Sequence, residues 1–277
     1  ASGKTALGFT PPFDLDPAQR EGDRITGPFS ALWFLVFVLP LFLFTPDIAR
    51  SKLRLGAAVR QGLTQVRGTF ADARRHEGVL RFLIANMVYQ DALVALFAFG
   101  GIYGAGVFGW QATELGLFGI LLTITGTAGA LIGGRLDDRF GAKPVILGAI
   151  LVLAIVCAGV LSLGREHVLF VIPTAPAGEG LYASVPEKLF LSLGLVIGAV
   201  AGPLQASSRS MLARLVPARE AGRYFGLLAL SGKVTSFLGP LAVAVATAAF
   251  QTQGAGPAVL ILFLLTGFVL LSGVKKA

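Results

Sequence analysis

Charge is scarce in this sequence: 14% of its 277 residues are Asp, Glu, Lys or Arg, against roughly 25% in soluble domains. Cysteine is scarcer still. Cys157 is the only one, which excludes a disulfide framework and a thiolate metal cluster. Histidine occurs only at His76 and His167, and the topology derived below puts these two on opposite sides of a membrane, where they cannot share a metal or act as a catalytic pair. No paired nucleophile and base is recognisable, so the chain is expected to be no enzyme and to need no cofactor.

What is plentiful is apolar. Hydrophobic residues make up 55% of the chain, and the mean hydropathy is +0.77. Apolar runs of about 18 residues or more recur, each long enough to cross a hydrocarbon core of roughly 30 Å as a helix. They cover residues 27–45, 79–105, 115–133, 145–163, 189–212, 224–250 and 257–274. The fold class this implies is all-α, a polytopic membrane helix bundle. Residues 1–26 are polar, hold Pro11 and Pro12, and lack the basic-then-apolar order of a secretion signal.

Lys and Arg near helix ends stay on the cytoplasmic side, and here they alternate. Arg50, Lys52, Arg54, Arg60, Arg67, Arg74 and Arg75 follow the first run, Arg135, Arg139 and Lys143 the third, and Arg209, Arg214, Arg219 and Arg223 the fifth, while Lys275 and Lys276 close the chain. Residues 1–26 are then an extracytoplasmic loop, 27–45 a transmembrane helix, 46–78 a cytoplasmic basic linker and 79–277 a six-helix bundle. The net charge of +8 reflects this topology, and no nucleic-acid partner is expected. Beginning at Ala1 with an odd number of spans, the chain is expected to be a fragment; a processed or short natural chain is the alternative.

Within the linker, Val59, Leu63, Val66 and Phe70 share one helical stripe flanked by Arg60, Arg67 and Arg74. That pattern suits a helix lying in the membrane interface with its arginines at the lipid phosphates; a solvated linker with accidental periodicity is the other reading.

Two ionisable residues fall inside apolar runs. Lys233, in "LLALSGKVTSFLGPL", lies about 13 Å into the sixth run at 1.5 Å per residue, and Asp91, in "NMVYQDALVALF", about 18 Å into the second. A phosphate-binding loop would need a glycine where Leu227 stands and Ser or Thr where Val234 stands. An intramembrane lysine costs roughly 2.5–3.5 kcal/mol on insertion scales, and the compatible depths make Asp91 the expected counter-ion. Such residues face a bundle interior or wet cavity and mark substrate or ion pathways; the bland readings are an ion pair that only fixes packing, or a lysine reaching for the interface. Asn86 and Gln90 share a face, whereas Asp91 shares its own with Ala95 and Ala98, whose small side chains permit a neighbouring helix to approach.

The stretch "GGRLDDRFGAKP", residues 133–144, resembles the signature loop of the major facilitator superfamily, with Gly134, Leu136, Asp138, Arg139, Gly141 and Lys143 matching and Ala142 standing where a basic residue is usual. Here Gly134 is expected to admit a close helix, Asp138 to cap a helix or pair with an arginine, Arg139 and Lys143 to stay at the surface, and Gly141 to make a sharp turn. The resemblance implies that this loop clamps neighbouring helices and helps set the balance of conformations; an ordinary basic turn is the alternative.

"FLIANMVYQDAL", "GPLQASSRSMLARLVP" and "YFGLLALSGKVTSFLGP" together resemble the autophagy-related vacuolar amino-acid effluxer family and its bacterial relatives, with Gln90 and Ala92 departing from the pattern. The resemblance implies helices six to twelve of a twelve-helix secondary transporter whose first half is missing. Its seventh and tenth helices would line a central cavity with Asn86, Tyr89, Gln90, Asp91 and Gln205, and its eleventh would bring Lys233. Gly202 and Pro203 are a place where the fifth span here could open its carbonyls to a ligand, or a tolerated kink. The implied partners are a small solute, amino acids by family likeness, with a coupled proton, in a bilayer expected to be a bacterial inner membrane. A non-transporting sensor or scaffold on the same fold is the alternative, with the 164–188 loop and its Pro173, Pro176 and Pro186 as its partner-binding element.

Overall fold

The computed structural model describes residues 16, 19, 21–46, 54–75, 77–174 and 180–274. Pro11, Pro12, Arg50, Lys52, His76, Pro176, Lys275 and Lys276, which figure in the reading above, lie outside them. The described chain is helical almost throughout, apart from a short antiparallel hairpin of His167–Val168 with Ile172–Pro173. Among the described residues, seven helical segments are long and apolar enough to cross a membrane. The all-α expectation holds, and the chain is a multi-pass integral membrane protein.

Two compact units divide it, residues 1–60 and 61–277. The first contains α1 (Glu21–Phe44), which begins six residues before its apolar run, because nothing in "EGDRIT" breaks a helix that continues from lipid into the polar boundary. Along one side of it Trp33 stacks between Phe29 and Phe37, with ring centroids 6.1 and 4.6 Å away. Helix α2 (Leu55–Arg75) spans the division, its last fifteen residues belonging to the second unit.

That second unit continues with α3 (Glu77–Tyr103), α4 (Ala112–Phe140), α5 (Ala142–Leu161), α6 (Val185–Leu215), α7 (Ala221–Val234), α8 (Leu238–Phe250) and α9 (Ala255–Ser272). Helix α3 ends in a wide π turn, Gly104–Phe108, so the second span runs beyond 105. The sixth span, expected as one helix over 224–250, is two helices, α7 and α8, separated at residues 235–237.

Helix α4 packs chiefly on α6, α5 on α6 and α9, and α3 on α9 and α8. The α4–α6 seam is built from glycine. A Cβ added at Gly129 would overlap the Ala199 carbonyl, one at Gly198 the Leu122 backbone and Thr125 hydroxyl, and one at Gly202 the Gly126 carbonyl at 2.9 Å. Spaced four apart at Gly194, Gly198 and Gly202, they let the two backbones touch over several turns, the recurring solution where lipid offers no hydrophobic drive for association.

The two ends of the bundle are closed differently. At one, the rings of Tyr103, Phe108, Trp110, Phe118, Tyr182 and Phe190 form a cluster. The Trp110 indole N–H donates to Glu187 (2.8 Å), whose carboxylate also caps α6 by accepting from the Ser184 amide (2.9 Å). Pro186 sits in the first turn of α6, where its missing N–H costs nothing. The Tyr182 hydroxyl donates to the Glu114 carbonyl; burial and then the Glu114 charge push its pKa above the usual phenol value, so it remains a donor. The opposite end is tied by charge.

Candidate functional site

Helix α3 carries four of the expected site residues; at 100° per residue Asn86 and Gln90 share a face, Tyr89 lies beside it and Asp91 points away from them. Tyr89 is fully buried. Its ring lies over Gly267 of α9, and its hydroxyl hydrogen-bonds Ser208 of α6 at 2.8 Å, so it joins three helices rather than facing an open cavity. Asn86, one turn earlier, is 4% exposed. Its Oδ1 and the buried Ser207 Oγ have no hydrogen-bond partner among the described residues. Gln90 is half-buried.

Asp91 is 2% exposed and faces the interruption between α7 and α8. Its Oδ1 accepts from the Thr235 hydroxyl at 3.2 Å, and that hydroxyl also lies 3.1 Å from the Ser231 carbonyl, so a single proton serves two acceptors. The backbone comes as close as the side chain: a Cβ at Gly239 would collide with the Asp91 carbonyl and approach the Ala95 methyl at 3.1 Å. The close approach expected on the Asp91–Ala95 face is thus made by Gly239.

Pro240 explains the interruption. It has no N–H to give the Ser236 carbonyl, and its ring crowds that position. The chain turns instead, with the Leu238 N–H on the Thr235 carbonyl (2.7 Å) and the Leu241 N–H on the Phe237 carbonyl (2.9 Å). Hydroxyls cover part of the freed backbone, Thr235 at Ser231 and Ser236 at the Lys233 carbonyl (3.1 Å). Helix α6, by contrast, runs unbroken through Pro203; the opening considered at Gly202–Pro203 is not there, because Pro203 is seated against Gly133 of α4.

Lys233 does not pair with Asp91. It is exposed on α7, on the stripe with Gly222, Gly226 and Leu230, and makes no ion pair among the described residues. The expected ion pair is corrected: a neutral hydroxyl meets the carboxylate, at lower desolvation cost than a second buried charge. Gln205 is also exposed and lines a cleft of about 520 Å³ between α3, α4 and α6, with Phe97, Thr123 and Gly202 on its walls. It therefore belongs to a different wall from Asp91.

The signature stretch is helical up to Phe140, not a turn. Gly141 alone makes the corner, at φ +85°, with its N–H on the Asp137 carbonyl (2.8 Å). Asp138 is exposed; its neighbour Asp137 is the one that pairs, Oδ1 lying 2.9 Å from the Arg214 guanidinium of α6. That contact lacks hydrogen-bond alignment, so its attraction is that of opposed charges. Gly134 meets nothing within 4 Å, while Gly133 takes the close helix contact. Arg139 lies over the Phe140 ring at 5.3 Å. Lys143 does not stay free at the surface: its ammonium donates to the Ser272 carbonyl (2.7 Å) and to the Val274 carbonyl. Arg81 donates to the Leu270 carbonyl (2.8 Å), so two cations hold the C-terminal end of α9, where the helix dipole favours them.

Residue reading missed Thr235, Gly239, Asp137 and Arg214. The Gly-Pro pair after a Thr-Ser pair was a signal for the first two. The first of two adjacent aspartates at a helix end, Asp137, carried none that separates it from the second.

A family model described as "Vacuole effluxer Atg22 like" matches residues 22–277. Among curated proteins, an uncharacterized MFS-type transporter, YxiO of Bacillus subtilis (strain 168), is 24% identical over 253 residues, covering 89% of this chain and 52% of that protein. Autophagy-related protein 22 of Coccidioides immitis (strain RS) is 26% identical over 231 residues, 78% of this chain and 36% of that protein. Autophagy-related protein 22-1 of Neosartorya fischeri is 24% identical over 228 residues, again 78% and 36%. The chain thus spans about half the length of the bacterial relative and about a third of the fungal ones. With the match running over nearly all of its helices, the chain belongs to the Atg22-like family of the major facilitator superfamily.

Proposed function

We propose that this chain is the C-terminal half, with one preceding helix, of a secondary transporter that moves a small solute by alternating access, two halves rocking about a central site. Amino acids are the solute class the effluxer likeness suggests, and no enzymatic step is involved. The missing N-terminal half would close over the exposed stripe of α7 and the cleft lined by Gln205. The B. subtilis relative supports a bacterial inner membrane as the location.

The observation that carries this reading is Asp91 buried against a broken helix. A carboxylate in mid-span is costly and marks a pathway by default, and interrupted helices at mid-membrane are where carriers bind solutes and coupling ions. In this reading Asp91 binds a substrate amine or carries a coupling proton, Lys233 attracts a substrate carboxylate from the exposed stripe, and Asn86, Gln90 and Gln205 supply polar contacts. Tyr89 acts by positioning α3 against α6. The Asp137–Arg214 and Lys143–α9 ties hold one end of the half as a unit while it moves.

The test is reconstitution of the full-length protein in vesicles with a panel of labelled amino acids, with and without a pH gradient. Saturable uptake of at least one is expected. Well-folded protein that moves none of them, with or without the gradient, would contradict the amino-acid assignment and favour a sensor or scaffold.

A further inference from the structure

Helix α2 is held to the bundle by few groups. From residue 61 on, its buried residues are Thr69 and Ala73. The Arg223 side chain, in the first turn of α7, donates to the Thr69 hydroxyl at 3.2 Å and reaches Asp72 at 3.5 Å. A cleft of about 470 Å³ remains between Gln65 and Val66 of α2 and Gly222, Gly226 and Leu230 of α7. Two polar contacts across a partly open cleft make a tether, not a packed seam.

The rest of the α2 surface is ordered by angle. At about 100° per residue, the stripe of Leu63, Val66 and Phe70 lies roughly 70° to one side of the Thr69–Ala73 face, and Arg67 and Arg74 lie roughly 60° beyond the stripe. Leu63, Val66 and Phe70 are 62%, 42% and 43% exposed. Arg67 and Arg74 are exposed too, with the Arg74 guanidinium 5.0 Å from the Phe70 ring centre. Gln61, Gln65 and Gly68 fill the remaining arc, which returns to the bundle at Gln65. Going round the helix, the order is bundle, oil, cation, polar. The one acid of residues 61–75, Asp72, is already opposed by Arg223, and Arg67 and Arg74 make no ion pair among the described residues.

We propose that α2 is a binding site for anionic phospholipid: the Leu63–Val66–Phe70 stripe seats on the acyl surface at the membrane boundary, Arg67 and Arg74 bind lipid phosphates, and Arg223 transmits that seating to α7. A helix with this order of faces, standing beside a membrane-spanning helix, meets acyl chains next to the bundle and phosphates just outside them. The site holds whether or not the protein moves a solute. It matters to the carrier because α7 leads, within about three turns, to the interruption facing Asp91.

The experiment uses the full-length protein in vesicles, with accessible cysteines outside this chain replaced; Cys157 is fully buried and can stay. An environment-sensitive label at Leu63→Cys is compared in phosphatidylcholine alone and with 30% phosphatidylglycerol. The expected result is quenching by lipid-borne nitroxides that is at least about threefold stronger with the anionic lipid. Arg67→Gln with Arg74→Gln should abolish that dependence on lipid charge, and Phe70→Ser should weaken quenching in both lipids. A label that stays in water in both lipids, or is buried yet insensitive to lipid-borne quenchers, would overturn the proposal; the second outcome would mean that protein covers the stripe. A second label at Leu230→Cys on α7 should respond to lipid charge in the parent and not in Arg223→Gln. No response in the parent would overturn the transmission through Arg223.

Discussion

Two helix seams in this bundle use glycine to opposite ends. Between α4 and α6, glycines at successive turns put backbone on backbone along two unbroken helices, one of them running straight through Pro203. Between α3 and α8 a single glycine, Gly239, makes the close contact, beside a buried carboxylate and the interrupted end of a helix. The first has one arrangement, because dry, close-packed surfaces do not deform continuously. The second is held by a hydroxyl shared between two acceptors. The same Gly-Pro dipeptide occurs at both, at 202–203 and 239–240. What separates them is the neighbour: Gly133 receives Pro203, while Pro240 follows Thr235 and Ser236, whose hydroxyls take up freed carbonyls.

The comparison breaks most readily at the rigid seam. Gly198→Leu drives a side chain into the Leu122 backbone and is expected to cost about 3 kcal/mol or more, at or beyond the upper end of overpacking. It should show as loss of a monodisperse species on size exclusion in detergent. At the other seam, Thr235→Val leaves Asp91 buried without its donor and should lower unfolding stability by about 1–3 kcal/mol, measured by denaturant titration in micelles. Asp91→Asn can still bond Thr235 and should cost less. Arg214→Gln removes the ion pair to Asp137 and is expected to cost about 1 kcal/mol, Asp137 being nearly buried and Arg214 half-exposed. Asp138→Asn and Gly134→Ala, the residues the superfamily signature singles out, should each change stability by no more than about 0.5 kcal/mol. If Asp138→Asn destabilises more than Arg214→Gln, the pairing described for this end is wrong.

Helices were legible because seven apolar runs admit no other solution in lipid. Ends were less so. Polar stretches such as "RLDDRF" continue α4 to Phe140, since the arginines and Leu136 favour a helix, no residue in the stretch breaks one, and the first breaker is Gly141. Asp91 stood out from composition alone, as any carboxylate in mid-span does. Its partner did not: depth along two helices gives level, not azimuth, and Lys233 lies two residues, some 200° around α7, from Thr235. The family resemblance put Tyr89 among cavity-lining residues, but whether it faces a cavity or another helix depends on Gly267 and Ser208, both distant in sequence.

The most direct test compares solute uptake by the full-length protein, parent against Asp91→Asn, in vesicles holding equal amounts of folded protein, with Gly134→Ala as the control for handling. Uptake at least about tenfold slower for Asp91→Asn, with the control unchanged and the unfolding midpoint of the variant near that of the parent, is what a working carboxylate at the α7–α8 interruption predicts. Parental rates in Asp91→Asn would reduce that carboxylate to a packing element and contradict the account.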